Sequence, residues 1–209
     1  MRRNLCVFAG LLFLVGRTLA QGNWSVELSA GYLYNQPSGT VLDNWRSSWT
    51  VGAGAAYRVF GGMELLFDMR FARLPYEGKY IHLVYPATLG ERRKVDGEPS
   101  SIFESAIGIR ISTPGSGVRL FFTVRGGLLV TDIGQIMVST WMDSQPARIS
   151  QLTYTGAGAT LKNGFGCLGV GFRVSLSHSF DLLGEGRFVS TFVGNQAFLP
   201  VTLTGQLQL

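Results

Sequence analysis

Between residues 63 and 71 every second residue is apolar, and three of the four residues between them are charged, the fourth being Leu66. The apolar residues are Met63, Leu65, Phe67, Met69 and Phe71, and the charged residues between them are Glu64, Asp68 and Arg70. Successive side chains of an extended chain point to opposite faces. The pattern therefore predicts a β-strand with one apolar and one charged face, and the same alternation recurs along the chain.

Alternation and turn residues together predict eight strands and no helix. The strands are placed at residues 24–34, 48–60, 63–73, 101–112, 118–131, 163–176, 181–192 and 198–209. Most are slightly longer than the roughly 9 to 11 residues that a tilted strand needs to cross a bilayer. The chain is therefore predicted to be all-β, with strands long enough to span a membrane.

The connections between these strands alternate between short and long. Tight turns are expected at 61–62, 113–117 and 177–180, long loops at 35–47, 74–100 and 132–162, and a short last connection at 193–197. Barrels of the bacterial outer membrane have short periplasmic turns and longer extracellular loops. The predicted fold is an eight-stranded antiparallel up-and-down transmembrane β-barrel. Strand-forming residues at 79–84 and 135–142 predict hairpins that project past the membrane.

One face of the predicted strands is apolar and suits lipid. It comprises Val51, Ala53, Ala55, Ile107, Ile109, Ile111, Leu120, Phe122, Val124, Leu128, Val130, Leu168, Val170, Phe172, Val174, Leu176, Val201, Leu203, Leu207 and Leu209. Aromatic residues mark its two ends, with Tyr32, Tyr34, Trp49, Phe71 and Phe103 toward the loops and Trp24 and Tyr57 toward the turns. Such rings prefer the level of the lipid headgroups.

The opposite face is charged and is predicted to point into the barrel. It carries Glu27, Arg58, Glu64, Asp68, Arg70, Glu104, Arg110, Arg119, Arg125, Arg173, Glu185 and Arg187. Eight strands enclose a space that side chains can just fill. We therefore expect these charges to form a structural salt-bridge network that plugs the lumen.

A soluble ligand-binding barrel would reverse the two faces, with apolar residues inside. The lysines argue against this arrangement, because Lys79, Lys94 and Lys162 all lie in predicted loops and the polar face uses arginine. A solvated face would use lysine freely, whereas a crowded, paired interior favours the planar guanidinium group. The membrane interpretation is therefore preferred.

The first 20 residues have the layout of a secretory signal peptide. Arg2 and Arg3 precede an apolar run at 5–15, and small residues follow at 18–20. Cleavage would leave residues 21–209 as the barrel domain. The formal net charge of +5 would fall by three, to +2, with the loss of Arg2, Arg3 and Arg17, so nucleic acid is not an expected partner. Cys167 would then have no internal disulfide partner.

Residues 164–172 and 183–188, with the sequences GFGCLGVGF and LGEGRF, resemble strands of the small eight-stranded outer-membrane proteins. This class includes the transmembrane domain of outer-membrane protein A and outer-membrane protein X. The resemblance implies location in the outer membrane of a diderm bacterium, contact with lipid and lipopolysaccharide, and folding by the barrel-assembly machinery. Members typically end in an aromatic residue, and here the last residue is Leu209.

No catalytic, cofactor-binding or metal-binding group is predicted. His178, Ser179 and Asp181 lie in or beside one tight turn, where consecutive side chains diverge and cannot form a catalytic relay. The GxGxxG match that begins at Gly164 lies inside a strand, without the helix that a dinucleotide site needs. We therefore expect no enzyme and no cofactor.

The predicted function is a structural anchor that displays extracellular loops for adhesion, envelope or host contact. Aromatic and basic loop residues are candidates to contact a protein or glycan: Trp45, Tyr76, Tyr80, Tyr85, Trp141, Arg46, Arg73, Arg92, Arg93, Lys94 and Arg148. The same arginines would also suit lipid phosphates. Two alternatives are a porin-like narrow ion path and, less favoured, a lipid A-modifying enzyme using His82.

Overall fold

The computed structural model describes residues 23–35, 42, 44–77, 91–115, 117–142, 145–153, 158–193 and 196–209. Within these ranges there are eleven β-strands. They are β1 (Trp24–Asn35), β2 (Ser48–Phe60), β3 (Met63–Leu74), β4 (Glu91–Gly97), β5 (Ser100–Ser112), β6 (Val118–Asp132), β7 (Ile136–Met142), β8 (Gln145–Thr153), β9 (Thr160–Ser175), β10 (Phe180–Thr191) and β11 (Ala197–Gln208). The same ranges contain no helix that is long and apolar enough to cross a membrane.

Eight of these strands form a closed antiparallel barrel in the order β1-β11-β10-β9-β6-β5-β3-β2. β1 pairs with β11 from Ser25 and Gln208 to Asn35 and Phe198, and this pairing closes the sheet. Every predicted strand corresponds to a barrel strand with ends that agree within three residues. The predicted fold is confirmed, and closure leaves the barrel without an exposed sheet edge.

The apolar face points outward and the charged face points inward. Phe122 and Phe172 are 42% and 46% exposed on the outer wall, whereas Arg125 and Arg173 are 3% and 2% exposed. Such a continuous apolar wall would be unstable in contact with water, whereas it is the surface that a lipid bilayer requires. The soluble alternative is therefore excluded by the orientation of the side chains.

Aromatic pairs mark both ends of the outer wall, as predicted. At the turn end the rings of Trp24 and Tyr57 are 4.9 Å apart, measured between centroids. At the loop end Tyr32 lies 5.5 Å from Trp49 in an edge-to-face arrangement. These pairs mark the two levels at which the wall meets lipid headgroups.

Beyond the loop end of the barrel lies a second, three-stranded sheet in the order β4-β7-β8, which we call the outer sheet. The hairpin predicted at 135–142 is confirmed as β7 and its partner β8. The prediction that 91–97 is loop is wrong, because these residues form β4 and pair with β7. The strand-forming segment at 79–84 lies outside the described residues, as does the predicted signal peptide.

Candidate functional site

Near the turn end, six charged side chains form a group that we call the lower ionic cluster. It consists of Glu27, Glu64, Asp181, Arg110, Arg119 and Arg173. Arg110 donates to Glu27 Oε1 at 2.7 Å and to Glu64 Oε2 at 2.9 Å. Arg173 donates to the same Glu64 oxygen at 2.6 Å. Because Glu64 binds two arginines, strands β1, β3, β5 and β9 are tied together across the lumen.

Further along the strands, six more charged side chains form the upper ionic cluster. It consists of Asp68, Glu104, Glu185, Arg70, Arg125 and Arg187. Arg125 binds both oxygens of Glu185, at 2.7 and 3.0 Å, and its Nε lies 3.0 Å from Asp68 Oδ2. The Thr123 hydroxyl adds a hydrogen bond to Glu185 at 2.5 Å. Two-pronged arginine–carboxylate contacts of this kind are strong and directional.

Each cluster contains three arginines and three carboxylates, so each is formally neutral. Neutrality matters because a charge removed from water is very costly unless it is paired. Inward-facing glycines provide the space. A β-carbon at Gly52 would lie 2.7 Å from Arg70 Cγ, and one at Gly108 would lie 2.7 Å from Arg125 Cγ. The glycines are therefore needed for arginine side chains to cross the lumen.

Above the upper ionic cluster, most inward side chains are apolar, with the buried Thr50, Thr131 and Thr191 interspersed among them. The apolar residues of this level form the apolar layer: Leu33, Ala72, Leu74, Ile102, Leu129, Phe165, Val189 and Phe198. Ala106 and Cys167 belong to the same hydrophobic cluster but lie beside the upper ionic cluster, in register with Asp68 and Arg125. Phe165 and Leu74 are 0% exposed. On β3 the sequence of inward residues runs from Asp68 and Arg70 directly to Ala72 and Leu74. The change from charge to hydrocarbon thus occurs within two residues of one strand.

The loops cover this layer with a cap built around Trp45. Trp45 is 3% exposed, pairs with Tyr76 in an isolated β-bridge, and donates from Nε1 to the Glu98 carbonyl oxygen at 2.8 Å. The ring of Tyr76 lies directly over Gly97, where a β-carbon would collide with it. Burial, with a smaller effect of the nearby Asp96 carboxylate, raises the pKa of Tyr76. Tyr76 is therefore neutral at physiological pH.

The outer sheet turns its apolar face toward the cap. Ile136 and Val138 of β7 are buried in the same apolar cluster as Trp45, and Val95 of β4 packs against it. The other face carries Arg92, Lys94, Asp96, Met137, Ser139 and Trp141, which are exposed or half-buried. The Lys94–Asp96 ion pair on this face is 2.9 Å long, with both side chains more than half exposed, and contributes little stability.

The twelve residues predicted as luminal charges all lie on inward positions, but they are not equivalent. Ten of them are buried. Arg119 is 22% exposed at the turn end and lies 3.6 Å from Asp181. Arg58 is half-buried and forms no ion pair with a described residue. Asp181, which the sequence places in or beside a tight turn and outside the predicted luminal charges, is 1% exposed and contacts Arg173.

Trp45 was also interpreted differently from the sequence. The sequence predicts that Trp45 contacts an external partner, which would require an exposed side chain. The structure shows that this prediction is wrong, because Trp45 is buried in the cap. Tyr80, Tyr85 and His82 lie outside the described residues, so the enzyme alternative that depended on His82 stays a prediction. Among the described side chains, no group of three His, Cys, Asp or Glu residues is arranged to hold a metal ion.

No protein-family model and no curated protein matches this chain. In structure it is similar to Neisserial surface protein A, with a TM-score of 0.53, 11% identity, and coverage of 89% of this chain and 97% of that one. It is also similar to Ail, the attachment invasion locus protein of Yersinia pestis (TM-score 0.49, 9% identity, 90% and 99% coverage). A third similar structure is the N-terminal β-barrel domain of Pseudomonas aeruginosa OprF (TM-score 0.44, 12% identity, 90% and 100% coverage).

The closed barrel, its lipid-facing wall and its aromatic girdles define an integral β-barrel protein of the bacterial outer membrane. Within that class it has the small eight-stranded fold that it shares with Neisserial surface protein A. The class predicted from the sequence is confirmed. Particular kinship with outer-membrane protein A or X stays a prediction.

Proposed function

We propose that the protein is a closed membrane anchor that holds an extracellular sheet in place for contact with a partner. The apolar layer between the ionic clusters and the cap is the observation that carries this proposal. Phe165, Leu74 and Leu129 are at most 1% exposed within it. Because packed side chains fill the lumen just below the loops, the barrel can hold those loops rigidly. The same packing makes the lumen poorly suited to transport.

The apolar layer also weighs against the porin-like alternative. An ion that followed the polar groups of the two clusters would next have to enter hydrocarbon packed around Phe165 and Phe198. An unpaired charge in such surroundings costs many kcal/mol, and hydrophobic constrictions close channels by excluding water. In addition, the luminal arginines other than Arg58 are bound to carboxylates and are poorly placed to exchange ions.

The solvent face of the outer sheet is the proposed contact surface. Arg92 lies beside Trp141 in the β4–β7 register, and Lys94 lies beside Ser139. Met137 is 42% exposed on the same face. Cationic and aromatic side chains together suit a partner with carboxylate, sulfate or phosphate groups on a protein or glycan. Lipopolysaccharide and the barrel-assembly machinery remain proposed partners during residence and biogenesis.

Cysteine labelling on cells tests this display directly. A Lys94→Cys variant should react with a membrane-impermeant maleimide on intact cells, because Lys94 is exposed on the outer sheet. A Ser177→Cys variant in a periplasmic turn should react only after the outer membrane is opened. The unsubstituted protein is the control, because Cys167 is 3% exposed. Labelling at position 177 but not at 94 on intact cells would reverse the topology and refute the proposal.

A further inference from the structure

The outer wall has an uncovered glycine in the middle of β10. Five glycines on β9, β10 and β11 face outward: Gly164, Gly166, Gly184, Gly186 and Gly205. Phenyl rings lie over four of them. A β-carbon at Gly164 would lie 3.0 Å from Phe192, and one at Gly205 would lie 3.2 Å from Phe180. A β-carbon at Gly186 would meet nothing within 4 Å.

This gap forms the floor of a furrow on the lipid-facing wall. Two adjoining cavities, of about 650 and 510 Å³, share Gly186, Val170, Val201 and Tyr34 in their linings. Val170 on β9 and Val201 on β11 form the two walls, and they are 63% and 53% exposed. The furrow therefore runs along β10, recessed between two raised rows of aliphatic side chains.

The spacing of the strands gives the furrow a width on the scale of a hydrocarbon chain. Its walls stand on strands two spacings apart, about 9.5 Å. The side chains of Val170 and Val201 occupy part of this distance, and the space left between them is on the scale of a hydrocarbon chain in van der Waals contact with both walls. The wall of a second barrel would instead rest on the raised valines and leave the glycine floor empty. The shape therefore favours a flexible chain over a second copy of the protein.

The two ends of the furrow differ in polarity. Toward the loops it is lined by Tyr34, Asn35 and Ser47, at the level of the aromatic girdle. Arg46, the residue before Ser47, lines neither cavity, but its cationic side chain is exposed beside this end. Toward the membrane centre the lining is Phe172, Gly184 and Leu203. This polarity fits a lipid whose phosphorylated headgroup lies in the outer leaflet and whose tail runs down β10.

We propose that the furrow over Gly186 is a specific site for one acyl chain of lipid A in the outer leaflet. Lipid A is the lipid class whose phosphates and sugars would lie beside Tyr34, Asn35 and Arg46. The site is separate from the outer-sheet contact surface and from the lumen. An experiment that finds no lipid A at this site would therefore leave the proposed anchor role unaffected.

Native mass spectrometry of the full chain in detergent micelles, titrated with purified hexa-acylated lipid A, tests this site. The unsubstituted protein should retain one lipid A. A Gly186→Leu variant, which fills the furrow, should need about fivefold more lipid A for half occupancy, because the chain loses its wall contacts. Gly186→Ala should fold without strain, since its β-carbon enters open space. Its affinity for lipid A should fall by less than that of Gly186→Leu.

Gly126→Leu is the matched control. Gly126 faces outward on β6, a β-carbon there would meet only Phe165 O at 3.6 Å, and it lines neither cavity. Retention of lipid A should be unchanged in this variant. Equal losses in Gly126→Leu and Gly186→Leu, or equal retention of phosphatidylethanolamine and lipid A, would overturn the proposal. A dimeric mass that Gly186→Leu abolishes would assign the furrow to a second copy and overturn it as well.

Discussion

Replacing Arg110 with methionine is expected to lower the free energy of unfolding by about 3–5 kcal/mol. Arg110 is 2% exposed and binds Glu27 and Glu64 together. Methionine preserves much of the volume and removes the charge, so the Glu27 carboxylate loses its partner and Glu64 retains only Arg173. Urea unfolding in lipid vesicles, followed by tryptophan emission, measures the difference.

Arg58→Met provides the comparison, because Arg58 is an inward arginine without an ion pair to a described residue. This variant should change stability by less than about 1 kcal/mol. Adding Glu27→Gln to Arg110→Met should restore part of the lost stability, since the buried negative charge is removed with its partner. Equal effects of Arg110→Met and Arg58→Met would show that the lower ionic cluster does not stabilise the barrel through pairing.

A Phe165→Ala variant should lose about 3–5 kcal/mol of stability. Phe165 is 0% exposed at the centre of the apolar layer, where truncation leaves a cavity between the upper ionic cluster and the cap. The neighbouring side chains are held by their strands and can close that cavity only in part. The same unfolding experiment in vesicles gives the loss.

Phe122→Ala is the control for this second variant. Phe122 is 42% exposed on the lipid-facing wall of β6, where acyl chains can occupy the space that the ring leaves. The free energy of unfolding of Phe122→Ala should therefore fall by less than that of Phe165→Ala, with a difference of at least about 1 kcal/mol. If the two losses were equal, the interior above the charges would be loosely filled, and the apolar layer would lose its proposed role.

Much of the barrel could be predicted because its physical cause is local. Lipid on one side and a narrow lumen on the other impose a period of two on every spanning strand, as in Met63–Leu74. Strand positions, the direction of each face and the buried arginines all follow from that period. Glu64 and Asp68 lie four residues apart on β3, and the structure accordingly places them in different clusters.

The parts that were missed depend on contacts between distant segments. β4 has the sequence ERRKVDG, without apolar alternation, and it becomes a strand because β7 from another loop pairs with it. Asp181 follows a turn, and its burial depends on Arg173 of the neighbouring strand. Nothing in the local sequence of either segment indicates those partners.

The apolar layer did leave a signal in the sequence. Leu33, Leu129 and Phe165 occupy inward positions at the loop ends of β1, β6 and β9. If the inward face is considered separately at each end of the strands, it changes from charged to apolar toward the loops. Treating that face as uniformly charged concealed the change, and the ionic network was consequently expected to fill the whole lumen.

The central claim is that the lumen is closed by two neutral ionic clusters and an apolar layer above them. Conductance of the purified full chain in a planar bilayer tests this most directly. The bilayer should show no steady current above background across a range of salt concentrations. A steady, salt-dependent conductance that Arg125→Ala or Glu104→Ala alters would mean that ions pass through the centre of the barrel, and would contradict the account.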